Sequence, residues 1–278
     1  MLLPVAGLLA LLTWGFFHGA STPDETLRTA LGGSPSSRFH EESALPRVTA
    51  KKQEDAKPAR HRGDIVVIID DLGFEGQPIE RVMAIDPNLN ASILPNGTNA
   101  AETAARFNAR GFEVLCHLPM EPQGNASPGA NAILTSMSDD EIARATRANI
   151  GAVPFARGVN NHMGSRATAD RRVMESVLGA LPKNMYFIDS RTSGRSIAFD
   201  LAREMKIRSA ARQVFLDDVQ SEAAVRRQLA NLAEAAEQRG VAIGIGHPHA
   251  VTLRVLAAEI PNLRSKGFRF LRASEVVR

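Results

Sequence analysis

Residue types able to do chemistry gather in a few short stretches of this chain. The first is IVVIIDDLGF, Ile65 to Phe74, where five β-branched residues run into two adjacent carboxylates, Asp70 and Asp71, and then a glycine. Like charges that close raise each other's pKa and cost free energy unless something compensates. A divalent cation is one compensation. A division of labour, with one carboxylate as ligand and the other as base, is another. The remaining stretches are CHLPMEP with His117 and Glu121, NNHMGS with Asn161 and His162, FIDSRT with Asp189 and Arg191, and GIGHPH with His247 and His249. The four histidines found after residue 64 all fall in these stretches. Imidazole and carboxylate together form a donor set suited to a borderline ion such as zinc.

The elements that must position these residues show as a rhythm. Apolar runs begin at Ile65, Asn90, Phe112, Gly158, Met185, Gln213 and Val241, with FRFL from Phe268 as a further candidate. Helix-like segments lie between them. Asn99 with Glu102 opens one that Gly111 closes, Ser138 to Glu141 reads as a capping box before a helix that Gly151 follows, and a long amphipathic helix runs from Ser221 to Gly240. Alternation of this kind predicts an α/β fold with a parallel sheet and helices outside. Seven or eight units suit a closed or nearly closed (β/α) barrel, and a flat doubly wound sheet is the competing architecture. Both place function at the C-terminal ends of the strands, where Asp70, His117, His162, Asp189 and His247 fall.

Each piece also has a plainer reading. Asp70 and Asp71 before a glycine suit a turn. Asp217-Asp218 after VFL looks alike, and there the turn is preferred, with Asp218 capping the helix near Ser221. His117 alone reads as a hydrogen-bonded structural histidine. His117 and Glu121 are four apart, but Pro119 and Pro122 argue against a helix presenting both. Asn161 suits a turn, Asp189 could orient a histidine or arginine, and His249 could start the next helix. Cys116 neighbours His117 on one strand and should face the opposite side, under the helices.

Bulk composition narrows the classes. The chain has 278 residues, 44% hydrophobic and 23% charged, as expected for one large domain with appendages. The net charge of +3 is spread out and aromatics make up only 5%, which argues against a nucleic-acid partner. One cysteine excludes an intrachain disulfide. Met1 to Phe17 is apolar and uncharged, so residues 1–20 read as a signal peptide or a membrane anchor contacting the bilayer. Residues 21–63 are polar and carry Pro23, Pro35, Pro46 and Pro58, so they read as a flexible linker. Residues 64–278 then form the domain of an exported periplasmic or cell-envelope protein. Neither a G-x-S-x-G elbow nor a phosphate-binding G-x-x-x-x-G-K-[ST] loop is present.

Together and in this order, IDDLG, CHLPMEP, NNHMGS, FIDSRT and GHPH resemble the divergent polysaccharide deacetylase family, from about Ile65 to Arg278. The resemblance implies a distorted (β/α) barrel, a divalent metal such as zinc and a carbohydrate substrate in the cell envelope. It implies Asp70 as base, Asp71 as metal ligand, His117 as the first of two metal histidines and His247 as acid. Glu121 stands where the second metal histidine of better-known members is found, and His162 is placed to supply the missing nitrogen. The expected reaction is metal-assisted removal of N-acetyl or O-acetyl groups. Two other readings stand beside it. One is a non-catalytic module that binds carbohydrate or a partner on the same barrel. The other is glycoside hydrolysis by Asp70 with Glu121 or Asp189.

Overall fold

The structure is a computed structural model and describes residues 60–278. The expected anchor and nearly all of the expected linker lie outside the described residues. Among the described residues, no helix is long and apolar enough to cross a membrane.

Strands and helices alternate as β1 (Gly63–Leu72), α1 (Ile79–Met83), β2 (Asn90–Ile93), α2 (Ala100–Ala109), β3 (Glu113–Met120), α3 (Asp139–Gly151), β4 (Gly158–Met163), α4 (Arg171–Gly179), β5 (Tyr186–Asp189), α5 (Ala198–Glu204), β6 (Ser209–Ala211), β7 (Val214–Phe215), α6 (Glu222–Arg239), β8 (Val241–Gly246), α7 (Ala250–Ser265) and β9 (Phe268–Phe270). The strands pair in parallel in the order β6-β5-β4-β3-β2-β1-β8-β7, with β9 beside the start of β1. The sheet curls into a distorted barrel that stays open between β6 and β7.

Strand alternation divides the interior into two cores. Ile65, Val67 and Ile69 of β1 join Val114, Cys116 and Leu118 of β3 under the helices. Val66, Ile68, Leu115, Tyr186, Ile188, Ile243 and Ile245 fill the concave side. Burial on both faces explains why the strands read as unbroken apolar runs. At the foot of the barrel Tyr186 donates to buried Glu113, which also accepts from the Ser274 amide at 2.7 Å. A side chain at Gly158 would overlap the Tyr186 ring, so close packing there requires glycine.

Several local expectations change. Ser209–Ala211 lacks β-branched residues and was not expected as a strand, yet it pairs with Phe187 to Asp189 of β5. Sheet pairing overrides its weak propensity. The run from Gln213 yields only the two-residue β7. The Ser138 capping box forms, while Asn99 occupies its cap position without a side-chain bond. Gly151 is the last residue of α3 rather than the one beyond it. Ser221, not Asp218, caps α6, accepting from the Ala224 amide at 3.3 Å.

Candidate metal and catalytic site

Extending the concave-side alternation by one step leads from Val66 and Ile68 to Asp70, from Leu115 to His117, and from Ile243 and Ile245 to His247. In a regular strand Asp71 would then face away from Asp70. The register of β1 against β2 slips between Ile69 and Leu72, and Asp71 adopts φ +58°. This bulge turns Asp71 to the same side, at a backbone cost on the order of 1 kcal/mol that Asp tolerates better than most residues. Met163 (φ +48°) and Arg191 (φ +51°), at the ends of neighbouring strands, share the left-handed conformation.

Three donor atoms converge there. His162 Nδ1 lies 2.9 Å from Asp71 Oδ1, His117 Nε2 lies 3.3 Å from the same oxygen, and the two nitrogens are 3.2 Å apart. Tetrahedral zinc, with ligands at about 2.0–2.1 Å, places its donor atoms about 3.3 Å from one another. Asp71 Oδ1 is buried and has no hydrogen-bond partner. Burial works against its charge, but the His117 and His162 contacts prevail and hold the carboxyl well below the usual carboxylate range. Asp71, His117 and His162 thus fit a divalent cation.

Asn160 sets the orientation of the groups around this point. Its Oδ1 accepts from Ser92 Oγ at 2.7 Å and faces His117 Nδ1 at 3.0 Å. An amide oxygen only accepts, so Nδ1 carries the hydrogen and Nε2 keeps its lone pair for a cation. Asn160 Nδ2 donates to Asp70 Oδ1 at 2.8 Å and to Ser190 Oγ at 3.3 Å. All four hydrogen-bonding positions of the amide are used. The second oxygen of Asp70, Oδ2, lies 3.5 Å from His117 Nε2.

His247 closes the other side. Its Nδ1 is 3.0 Å from Asp217 Oδ1 and its amide donates to Asp217 Oδ2 at 2.7 Å. Thr252 Oγ1 adds a third bond to Asp217, at 2.7 Å. His247 Nε2 is left facing Asp71 Oδ2 at 3.7 Å. Burial opposes the imidazolium, but the Asp217 bond and the fields of Asp70 and Asp71 outweigh it and lift His247 to about 9.

Comparison with known proteins now bears on the assignment. Residues 67–277 match the family model described as divergent polysaccharide deacetylase. The chain belongs to this family. It is 39% identical to the protein YibQ of Escherichia coli over 202 residues, which is 72% of this chain and 63% of that protein's length. A Haemophilus influenzae protein is 34% identical over 200 residues, covering 72% of this chain and 71% of its own. Among solved structures, ATU2773 from Agrobacterium tumefaciens shares the fold with a TM-score of 0.75 at 20% identity, over 80% of this chain and 92% of that one. BA3943 from Bacillus anthracis, described as a CE4 family pseudoenzyme, superimposes with a TM-score of 0.50 at 13% identity, over 80% of this chain and 70% of its own.

Other expected residues serve the loops around these groups. Glu121 accepts from the amide and hydroxyl of Thr135, both at 2.6 Å, and from Arg166 at 3.1 Å, and it does not join the donor triangle. Asn161 donates to the Met163 carbonyl at 2.7 Å and accepts from the Ser190 amide at 2.9 Å. Asp189 is fully buried and accepts from the Arg191 amide and Ser196 Oγ, both at 2.8 Å. Arg191 reaches back to Asp189 at 3.4 Å. His249 stands at the N-cap of α7 without a cap bond and lies 3.0 Å from Gln220 Nε2. The carboxylates of Glu121 and Asp189, the two partners considered for Asp70 in glycoside chemistry, are both held by loop hydrogen bonds.

Sequence reasoning read Asp217 as part of a turn and gave no role to Ser92, Asn160 or Thr252. Asn160 and Asp217 sit at strand ends within or beside the noted stretches, which is the signal that would have found them. Ser92 and Thr252 carry no such mark.

Proposed function

We propose that this protein is a metal-dependent hydrolase that removes acetyl groups from a cell-envelope carbohydrate. The carrying observation is the buried, unpartnered Asp71 Oδ1 facing two imidazole nitrogens, with Asp70 and His247 on either side. A divalent cation, zinc by its nitrogen and oxygen donors, would be held by Asp71, His117 and His162. Such an ion supplies Lewis acidity, lowering the pKa of water and stabilising charge on an acyl oxygen.

The chain's own groups divide the proton work. Asp70, held by Asn160 at Oδ1, presents Oδ2 to accept a proton from the attacking water. His247, protonated through neutral pH, delivers a proton from Nε2 to the departing amine or alcohol. Asp217 fixes the ring by taking Nδ1–H, and Thr252 fixes Asp217. Tyr186 is buried in the barrel, so Phe74, 40% exposed and three residues after Asp71, is the aromatic surface nearest in sequence for a sugar ring.

The test is metal analysis of the purified protein beside His162→Ala, followed by acetate release from N-acetylglucosamine oligomers and O-acetylated xylan. Close to one equivalent of zinc in the wild type, lost in the variant together with acetate release, is the expected result. Stoichiometric metal without turnover on any acetylated glycan would favour the non-catalytic binding module. A protein that takes up no metal would sink the proposal.

A further inference from the structure

The backbone of Asp71 is left unsecured by the sheet. The register of β1 with β8 ends at Ile69 and Gly246, and the register of β1 with β2 passes from Ile69 to Leu72. Neither ladder pairs Asp70 or Asp71. A non-glycine residue at φ +58° persists only where its surroundings determine it. Relaxed to extended backbone, Asp71 would follow the strand alternation and turn its carboxylate away from Asp70 and the two imidazoles.

The side chain of Gln77 supplies what the sheet does not. Its Nε2 donates to the Asp71 carbonyl at 2.6 Å, and its Oε1 accepts from the amides of Gly73 and Phe74 at 2.8 and 3.0 Å. Two N–H groups face one end of the amide and a carbonyl faces the other, so this network fixes which end is oxygen. Gln77 is half-buried, and its own backbone is tied. Pro78 restricts it to extended or turn conformations, and the Ile79 amide donates to the Gln77 carbonyl at 2.8 Å. The turn is also docked on the loop after β2. There the Asn99 amide donates to the Gly73 carbonyl at 2.8 Å and the Glu75 amide donates to Thr98 Oγ1 at 3.2 Å. Gly97 comes so close to the Gly73 carbonyl that a side chain at 97 would overlap it.

We propose that Gln77 is a positioning residue for metal binding, its amide holding Asp71 in the left-handed conformation before a cation arrives. The carboxylate is then already aimed at His117 and His162. This role rests on the reading of Asp71, His117 and His162 as a metal site. Glutamine suits it because one planar group both accepts and donates. An ionised glutamate could take the two amides but could not donate to the Asp71 carbonyl, and alanine could do neither. A ligand that is in place only part of the time weakens binding by that fraction.

The test is calorimetric titration of the metal-free full chain with zinc, beside the crystal structure of metal-free Gln77→Ala. Expected are a Kd about 10–100-fold weaker in Gln77→Ala and a smaller loss in Gln77→Glu. Both variants should still approach one equivalent, because the three ligands remain. In metal-free Gln77→Ala, Asp71 should leave positive φ. A role confined to folding would lower Tm and leave the zinc Kd of the folded protein unchanged, and an unchanged Kd in either variant overturns the proposal. So does Asp71 still near φ +58° in Gln77→Ala. A wild type that takes up no zinc overturns the metal reading itself, and the Asp71 conformation in Gln77→Ala then still decides whether Gln77 sets that backbone.

Discussion

Two clusters of one aspartate and two histidines stand on the same face of this barrel, and both have donor atoms close enough to hold a cation: Asp71 with His117 and His162, and Asp217 with His247 and His249. Hydrogen bonding separates them. In the first, Asp71 Oδ1 is buried without a hydrogen-bond partner and two ring nitrogens lie 2.9 and 3.3 Å from it. In the second, both oxygens of Asp217 are occupied by the His247 ring, the His247 amide and Thr252. A carboxylate already satisfied by the protein has little to gain from a cation, while an orphaned one has much. The first cluster is therefore read as a ligand set and the second as an oriented proton donor.

The substitution that tests this contrast most severely is His162→Ala. It should abolish both metal binding and acetate release, and elemental analysis beside a turnover assay would read both losses. Retained metal in that variant would move the ion to the second cluster and reverse the assignment. Asp70→Asn should keep the metal and lower kcat by about 10²–10⁴-fold, because a general base is removed while the ligands stay.

Smaller effects test the second cluster. His247 is raised from 6.5 to about 9, so its proton is kept through neutrality and activity should fall as pH rises through about 9. Asp217→Asn withdraws the negative charge that favours the imidazolium. The alkaline limb of the pH–rate profile should then move to lower pH, with metal content unchanged. The same sign governs stability. The folded pKa lies above the unfolded one, so the His247–Asp217 contact contributes fully below pH 6.5 and fades as pH climbs towards 9. Chemical denaturation at pH 6 and pH 9.5 should show a difference in the wild type that shrinks in Asp217→Asn. The smallest effect is expected for Thr252→Val, which takes one of three bonds from Asp217. A loss of about 1 kcal/mol in stability, with zinc still bound, is the outcome that fits. Loss of zinc in this variant would tie the second cluster to the metal.

Much of the site was legible because the chemistry lies where parallel strands end. Asp70, His117 and His247 each extend a buried apolar run, and buried runs are visible in sequence, while His162 follows the polar pair Asn160-Asn161 near the end of β4. Asp217 was hidden because Asp-Asp after an apolar run is also how a turn before a helix looks. Its role depends on β7 lying beside β8, which brings Asp217 to His247 thirty residues away. Asn160 was passed over for a similar reason. Its four partners come from β1, β2, β3 and the end of β5, and only the strand order makes them neighbours.

By itself, the sequence determined the alternating strand and helix units, the two-sided burial of the strands and the identity of the titratable groups at their ends. These follow from short-range periodicity, which residues carry locally. The tertiary structure decided which of those groups meet, and it did so through three features with no local signature. A bulge turned Asp71 to the side of Asp70, strand order joined Asp217 to His247, and a missing ladder between β6 and β7 left the barrel open. Each depends on contacts between residues far apart in the chain, and such contacts are settled only when the sheet assembles.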